Sequence, residues 1–421
     1  MSICQTFRAV NKPGPTIHES NDSLTTNTPT EGSLSDQIST SSGEQLHTTL
    51  SGSSRTTAPE FASHLFFSTI MDSELQHKWT AKRLKVAESP HDYMLTLPSK
   101  GIRGAFIDAL NVWFEVSEEN TTTIKDVISM LHDSSLILDD FQDDSPLRRG
   151  KPSTHTIFGP SQAINSATYV IVKAIARLQP ITNSASLKEV IGMILTIFEG
   201  QAMDLSWTFN NAPPSIQEYL LMINDKTGAL FRLACHLLTL NSNASLGGNY
   251  PESISKMVSL LGQYFQIRDD YMNLIDQNYA DQKGFCEDLD EGKYSLPLLH
   301  ALQSDRGGLL TNMLSARRTQ GRLTVQQKVL ILDQMKAGGS LSWTRSLIDD
   351  LHEQMMTEIE RLERELNKDN PALRKLVKLL KLGEVDQEEI YDVAPCERCT
   401  EVCGGEVNAT AQDTVSSMAL R

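Results

Sequence analysis

Leu138-Asp-Asp-Phe-Gln-Asp-Asp-Ser-Pro-Leu-Arg-Arg-Gly150 places four aspartates within six residues, with two arginines close behind. The residues just before it, Ile124 to Leu138, are apolar at helical spacing, so Asp139 and Asp143 stand one turn apart on one helix face. Two carboxylates at i and i+4 repel each other, and acids at the end of a helix add to the negative pole of its dipole. A cation offsets both costs. Oxygen-only ligands at this spacing suit Mg²⁺, which takes one or two carboxylates and leaves its other positions to water or substrate phosphate.

On either side the same periodicity continues. Blocks such as Ile124 to Phe141, Leu187 to Trp207 and Ile254 to Ile275 carry apolar residues at i, i+3, i+4 and i+7, and strand-like alternation is hard to find. Short breakers separate the blocks, including Asn211-Ala-Pro-Pro214, Gly247-Gly-Asn249 and Gly307-Gly308. This predicts an all-α antiparallel helical bundle over residues 76–388. Residues 1–75 read as a disordered Ser/Thr-rich extension, and 389–421 as a disordered tail. The tail carries Cys396, Cys399 and Cys403, which lack a fourth ligand nearby and read as free thiols rather than a metal site.

The chain has 421 residues with 38 Lys+Arg against 53 Asp+Glu, a formal net charge of −15. Nucleic-acid binding needs the opposite balance, because affinity for phosphate backbones comes from excess Lys and Arg. No apolar run approaches the roughly 20 residues of a membrane span. The beginning of the chain lacks the apolar stretch of a signal peptide, and six scattered cysteines do not form a secreted disulfide framework. A reducing, cytoplasmic compartment is expected.

A second acidic pair, Asp269-Asp270, follows the apolar run Met257 to Ile267. Basic residues appear where an anion held by metals would need partners. Arg148 and Arg149 offer planar forks that suit diphosphate oxygens. Lys100 and Arg103 lie at an expected helix start, where free backbone N–H groups favour an anion. His132 stands two turns before Asp139 on the same face.

Together these pieces resemble the trans-isoprenyl diphosphate synthases, most closely the fungal geranylgeranyl diphosphate synthases, over roughly residues 85–385. The matching stretches are Leu97-Pro-Ser-Lys-Gly-Ile-Arg103, Asp139-Asp-Phe-Gln-Asp143 with Leu147-Arg-Arg-Gly150, and His155 with Phe158-Gly159. Gly200-Gln-Ala-Met-Asp-Leu-Ser-Trp207, Lys226-Thr-Gly228, Phe265-Gln-Ile-Arg-Asp-Asp270 and the run from Lys283 to Lys293 follow in order.

The resemblance implies an isoprenoid synthase-type bundle around a deep central cavity, working as a homodimer or larger homo-oligomer on small isoprenyl diphosphates. It implies three Mg²⁺ ions per site, with Asp139, Asp143 and Asp269 as ligands and Asp140 and Asp270 near the cluster. Lys100, Arg103, His132 and Arg149 would hold isopentenyl diphosphate. Arg148, Lys226, Thr227, Gln266, Asn273, Lys283 and Lys293 would hold the allylic diphosphate. Asn273 departs from the third aspartate of farnesyl enzymes, a change common in eukaryotic geranylgeranyl enzymes.

The implied reaction is Mg-dependent head-to-tail condensation giving a C20 product, with diterpenoid supply as one use. Ser134 and Ser135 lie where farnesyl enzymes place an aromatic floor, so both are expected to deepen the tunnel. A C15 or C25 product is the alternative within the class. A class I terpene cyclase fits worse: its partner motif would need Ser and Glu where Gly228 and Arg232 follow Asn224-Asp225.

Overall fold

The computed structural model describes residues 73–244, 252–276, 280 and 282–383. The expected terminal extensions fall almost wholly outside these residues, as do the breaker at 247–249 and the three tail cysteines. The described residues form helices from end to end: α1 Ser73–Thr96, α2 Ile102–Phe114, α3 Glu118–Gln142, α4 Thr154–Phe158, α5 Pro160–Arg177, α6 Ser184–Asn210 and α7 Ile216–Ile223. A π-helical turn, Asn224–Gly228, leads straight into α8 Ala229–Leu240. Then come α9 Glu252–Ile275, α10 Glu287–Glu291, α11 Leu296–Leu302, α12 Leu309–Gln320, α13 Val325–Ala337, α14 Ser340–Leu366 and α15 Pro371–Leu380.

Local signals set these boundaries. Ser117 caps α3 by accepting from Asn120 N, and Glu118 and Glu119 follow in its first turn, where the dipole favours acids. Asn183 with Ser186 and Ser215 with Glu218 form reciprocal capping boxes on α6 and α7. The breaker at Asn211 is the left-handed C-cap of α6, and Gly308 at φ 66° opens α12. The acids Asp269 and Asp270 lie inside α9, within the expected helical block Ile254 to Ile275, and its apolar repeat runs on past them through Tyr271 and Leu274.

Strand structure among the described residues is confined to β1, Leu147–Arg148, paired antiparallel with β2, Lys151–Pro152. This hairpin turns directly after the first aspartate cluster. Arg149 and Gly150 at its tip have φ of 54° and 75°, and Gly150 N donates to Gln282 O at 2.9 Å. It therefore points two adjacent arginines in different directions.

The core is centred on α9. Met257, Leu261, Tyr264 and Ile267 are buried, as are Ile348, Met355 and Ile359 of α14, which packs on α9. On the other side, α9 and α6 clamp the π-helical turn. A Cβ added to Gly200 would collide with the backbone N of Lys226, and one at Gly262 would meet Gly228 Cα at 2.6 Å. Only glycine lets these backbones approach so closely. The clamp holds Lys226 and Thr227 over a cavity of about 420 Å³ enclosed by α2, α3, α6, the π turn and α9.

Candidate active site

Asp139 lines this cavity from the last turn of α3. Its carboxylate accepts from Gln201 Nε2 at 3.2 Å and faces Lys226 Nζ at 3.4 Å, Arg148 Nη2 at 3.7 Å and Lys293 Nζ at 3.8 Å. Burial would raise its pKa, but Lys226, Lys293 and Arg148 outweigh that and hold it well below the usual carboxylate range. Asp143 meets the same Lys293 at 2.6 Å. Burial, and then the charge of Asp139, push Asp143 up to about 7. Asp140, on the same helix, is fully buried and turned to Arg148, whose Nε donates to Oδ1 at 2.8 Å.

Facing α3, the cavity is lined by Gln266, Asp269, Asp270 and Asn273 of α9. Asp269 is exposed, whereas Asp270 is buried and filled by neutral donors. Tyr219 OH donates to its Oδ2 at 2.6 Å, Leu296 N to the same oxygen at 3.1 Å, and Gln266 Nε2 to Oδ1 at 2.9 Å. Thr227 Oγ1 donates to Gln266 Oε1 at 2.7 Å. Asn273 is also buried and accepts from Asp288 N at 3.3 Å, so its side chain ties α9 to α10.

The cations over the cavity are held by a second layer of acids. Lys226 donates to Asp204 at 2.6 Å; Lys283 donates to Asp288 at 2.9 Å and to Glu291 at 3.3 Å; Lys293 reaches Glu291 at 2.8 Å. Burial opposes these charges, yet the neighbouring carboxylates keep Lys226 and Lys283 above the ordinary lysine value. Against the upward push of burial, Lys293 and Lys283 bring Glu291 down to about 2. The three lysines are thus fixed as cations before any ligand arrives.

A separate basic patch lies on the α2 side. Gly101, at φ 62°, opens α2 without a side-chain cap, so its first-turn N–H groups stay available. Lys100, Arg103, His132 and Arg149 all line the cavity there. Arg103 Nη1 lies 2.7 Å from His132 Nε2. A guanidinium only donates, so this nitrogen accepts and the imidazole is neutral. Burial, and then Arg103, push His132 well below its usual pKa, in keeping with that tautomer.

Of the two serines expected to set tunnel depth, Ser135 lines the cavity with Leu131, Leu136 and Leu138. Ser134 is fully buried and is not among the lining residues. It sits on the side of α3 that carries Ile137, which packs with Ala163 and Ala167 of α5. The expectation treated the two neighbours alike, but adjacent helical positions are 100° apart and face different surroundings.

Five contributors were not singled out from sequence. Gln201 and Asp204 lie in the stretch Gly200–Trp207, and Asp288 and Glu291 in the run Lys283–Lys293; each holds a residue that was singled out. Tyr219 carried no local signal, since a tyrosine on an apolar helix reads as core.

The donor set fits a hard divalent cation. The Oδ2 atoms of Asp139 and Asp143 converge on one point of positive charge, the ammonium of Lys293. Among the described residues no three His, Cys, Asp or Glu side chains form a ready-made ligand group. Asp269 belongs to the facing helix, so the expected metal set of Asp139, Asp143 and Asp269 is split across the cavity.

A family model described as polyprenyl synthetase matches residues 84–331. Geranylgeranyl pyrophosphate synthase 2 of Gibberella fujikuroi is 63% identical over 84% of this chain and 90% of its own length. Geranylgeranyl pyrophosphate synthase 3 of Zymoseptoria tritici is 44% identical over 69% of this chain and 80% of its own. Fusicoccadiene synthase of Phomopsis amygdali is 49% identical over 70% of this chain, which spans only 42% of that relative.

Proposed function

We propose, from the premise that this chain belongs to the polyprenyl synthetase family, that it joins isopentenyl diphosphate head to tail with dimethylallyl, geranyl or farnesyl diphosphate and releases C20 geranylgeranyl diphosphate. The chain is a prenyltransferase, and it is similar over 84% of its length to a geranylgeranyl pyrophosphate synthase. One observation carries the reading: a single cavity joins two distinct anion-binding patches to one apolar wall. Lys226, Lys283, Lys293 and Arg148 form the first patch; Lys100, Arg103 and Arg149 form the second; Leu131, Leu230, Phe231 and Phe265 belong to the wall. Two diphosphates and one hydrocarbon tail need that combination.

The chemistry follows from charge. Lysines locked as cations stabilise the leaving diphosphate, so the allylic C–O bond can break. The basic patch around Arg103 holds the second diphosphate so that the isopentenyl double bond lies beside the electron-poor carbon. The new C–C bond forms there, and loss of a proton to the departed diphosphate restores the double bond. Apolar walls exclude water, which would otherwise capture the cation as an alcohol. Mg²⁺, three ions in this reading, supplies further neutralisation of the leaving group when bound by Asp139, Asp143 and Asp269.

A homodimer is part of the proposal. Ile191, Leu195 and Phe198 repeat at i, i+4 and i+7 along α6 and are exposed, which gives a long helix an apolar stripe open to a second copy. A cytoplasmic location is also proposed; among the described residues no helix is long and apolar enough to cross a membrane.

The test is product analysis. Purified enzyme receives Mg²⁺, isopentenyl diphosphate and each allylic diphosphate in turn, and the dephosphorylated products are identified by mass and retention. A C20 alcohol dependent on both Mg²⁺ and isopentenyl diphosphate is the expected result. A C15 or C25 alcohol keeps the reaction and overturns the product length, whereas a cyclic hydrocarbon formed without isopentenyl diphosphate overturns the class.

A further inference from the structure

The buried chain of hydrogen bonds behind the second aspartate pair has a direction, and that direction reaches the cavity. Leu296 N is a backbone donor, so the Asp270 oxygen it meets at 3.1 Å must accept. The phenol of Tyr219 is only 2% exposed and brings its O–H to the same oxygen at 2.6 Å. Its other oxygen, Oδ1, accepts from Gln266 Nε2 at 2.9 Å. The amide oxygen is thereby turned away, toward Thr227, and accepts the hydroxyl at 2.7 Å. A hydroxyl has one proton. With that proton on Gln266, Thr227 shows the cavity only lone pairs.

We propose that Tyr219 is a positioning residue for the prenyl transfer, acting through Asp270 and Gln266 to fix which way the Thr227 hydroxyl proton points. The inference rests on the prenyltransferase reading above and deepens it. Without Tyr219, Asp270 would keep only Leu296 N on Oδ2 and the Gln266 amide on Oδ1, and would lose the shortest of its three hydrogen bonds. The Tyr219 bond pins that carboxylate, and the pinned carboxylate pins the amide. Thr227 then has the wrong polarity to donate to a diphosphate oxygen. That work falls to Lys226, Lys283, Lys293 and Arg148, while Thr227 keeps an electron-rich oxygen toward the cavity. The role expected for Thr227 from sequence, a direct hold on the allylic diphosphate, changes accordingly.

A double-mutant cycle on the full-length chain tests this. Tyr219→Phe removes one O–H and almost no volume, and Thr227→Val removes the end of the relay. Each single variant is expected to lower kcat about tenfold, the scale of one hydrogen bond to a charged group. KM for isopentenyl diphosphate, bound by the separate patch around Arg103, should not move. The double variant should be no slower than Thr227→Val alone, since Tyr219 has nothing left to orient. Wild-type kcat in Tyr219→Phe, or losses that multiply in the double variant, would overturn the proposal. So would a drop in Tm with unchanged kcat, the mark of a purely structural tyrosine. Should Tyr219→Phe fail to fold, Gln266→Met breaks the relay at its middle, and the same non-additivity with Thr227→Val is expected. Wild-type enzyme run alongside separates the two levels: if it forms no prenyl diphosphate at all, the functional reading fails rather than the relay.

Discussion

Asp140 and Asp270 are the inner members of two similar acidic pairs, and each is buried on a long helix behind a cavity-facing aspartate. Asp140 sits against the guanidinium of Arg148, whereas Asp270 sits among Tyr219 OH, Leu296 N and Gln266 Nε2. One buried charge is balanced by an opposite charge and the other by dipoles. Burial raises the pKa of both. At Asp140 the Arg148 charge opposes the rise; at Asp270 the nearby Asp288 adds to it and the carboxyl reaches about 7. Two motifs alike on paper thus do different work: the first couples its acids to the buried cations of the cavity, and the second builds a polar frame of neutral donors.

The largest expected effect tests what the motifs share. Asp139→Ala and Asp269→Ala should each reduce turnover at least about a thousandfold, the upper scale for loss of one electrostatic stabiliser at a reacting centre. Circular dichroism should stay unchanged, because neither carboxylate belongs to the apolar core. Activity retained in both variants would remove the metal assignment from both motifs.

The next effect tests where they differ. Asp140→Asn leaves Arg148 buried beside a neutral amide and should cost about 3–5 kcal/mol, the usual result of breaking a buried ion pair from one side. Asp270→Asn loses hydrogen bonds to neutral donors and should cost about 1–3 kcal/mol. Urea unfolding of the two variants measures the gap, and equal losses would break the comparison.

The same logic of neighbouring residues facing different surroundings applies along α3. Ser135→Phe should shift product from C20 toward C15, because residue 135 lines the cavity. Ser134→Phe should keep the C20 product and lose about 1–3 kcal/mol of stability by overpacking the buried side of α3. Product chromatography together with thermal unfolding would expose the reverse pattern if the faces were misassigned.

The smallest effect concerns pH. Burial and Arg103 keep His132 neutral in the folded chain, well below its ordinary value of 6.5. The unfolded chain takes up a proton below that pH, so stability falls as pH drops through it, by at most about 1.4 kcal/mol per pH unit. His132→Gln should flatten that part of the stability profile between pH 7 and 5. An unchanged slope would show that His132 is not held neutral by its surroundings.

The helices themselves were legible because their causes are local. Apolar repeats, capping residues and breakers such as Asn211 each act over a few residues, and the expected blocks all fall within observed helices. The block Ile254 to Ile275 runs through Asp269 and Asp270, because the apolar repeat on both sides of the acids outweighs one charged turn. The π-helical turn was not foreseen: Asn224–Gly228 adopts it while clamped between Gly200 and Gly262, outside its own segment.

The sequence by itself determined that this chain forms a helical bundle, that its acids and bases appear in the order of a polyprenyl synthetase, and that Asp139 and Asp143 share a face. Spacing along one helix settles such facts, since the 3.6-residue repeat needs no other part of the molecule. Only the tertiary structure decided which acid meets which base. Lys226 reaches Asp139 across 87 residues, and Tyr219 reaches Asp270 across 51. Those partners are chosen by how closely α3, α7, the π turn and α9 pack, and periodicity along a single segment carries no information about that distance.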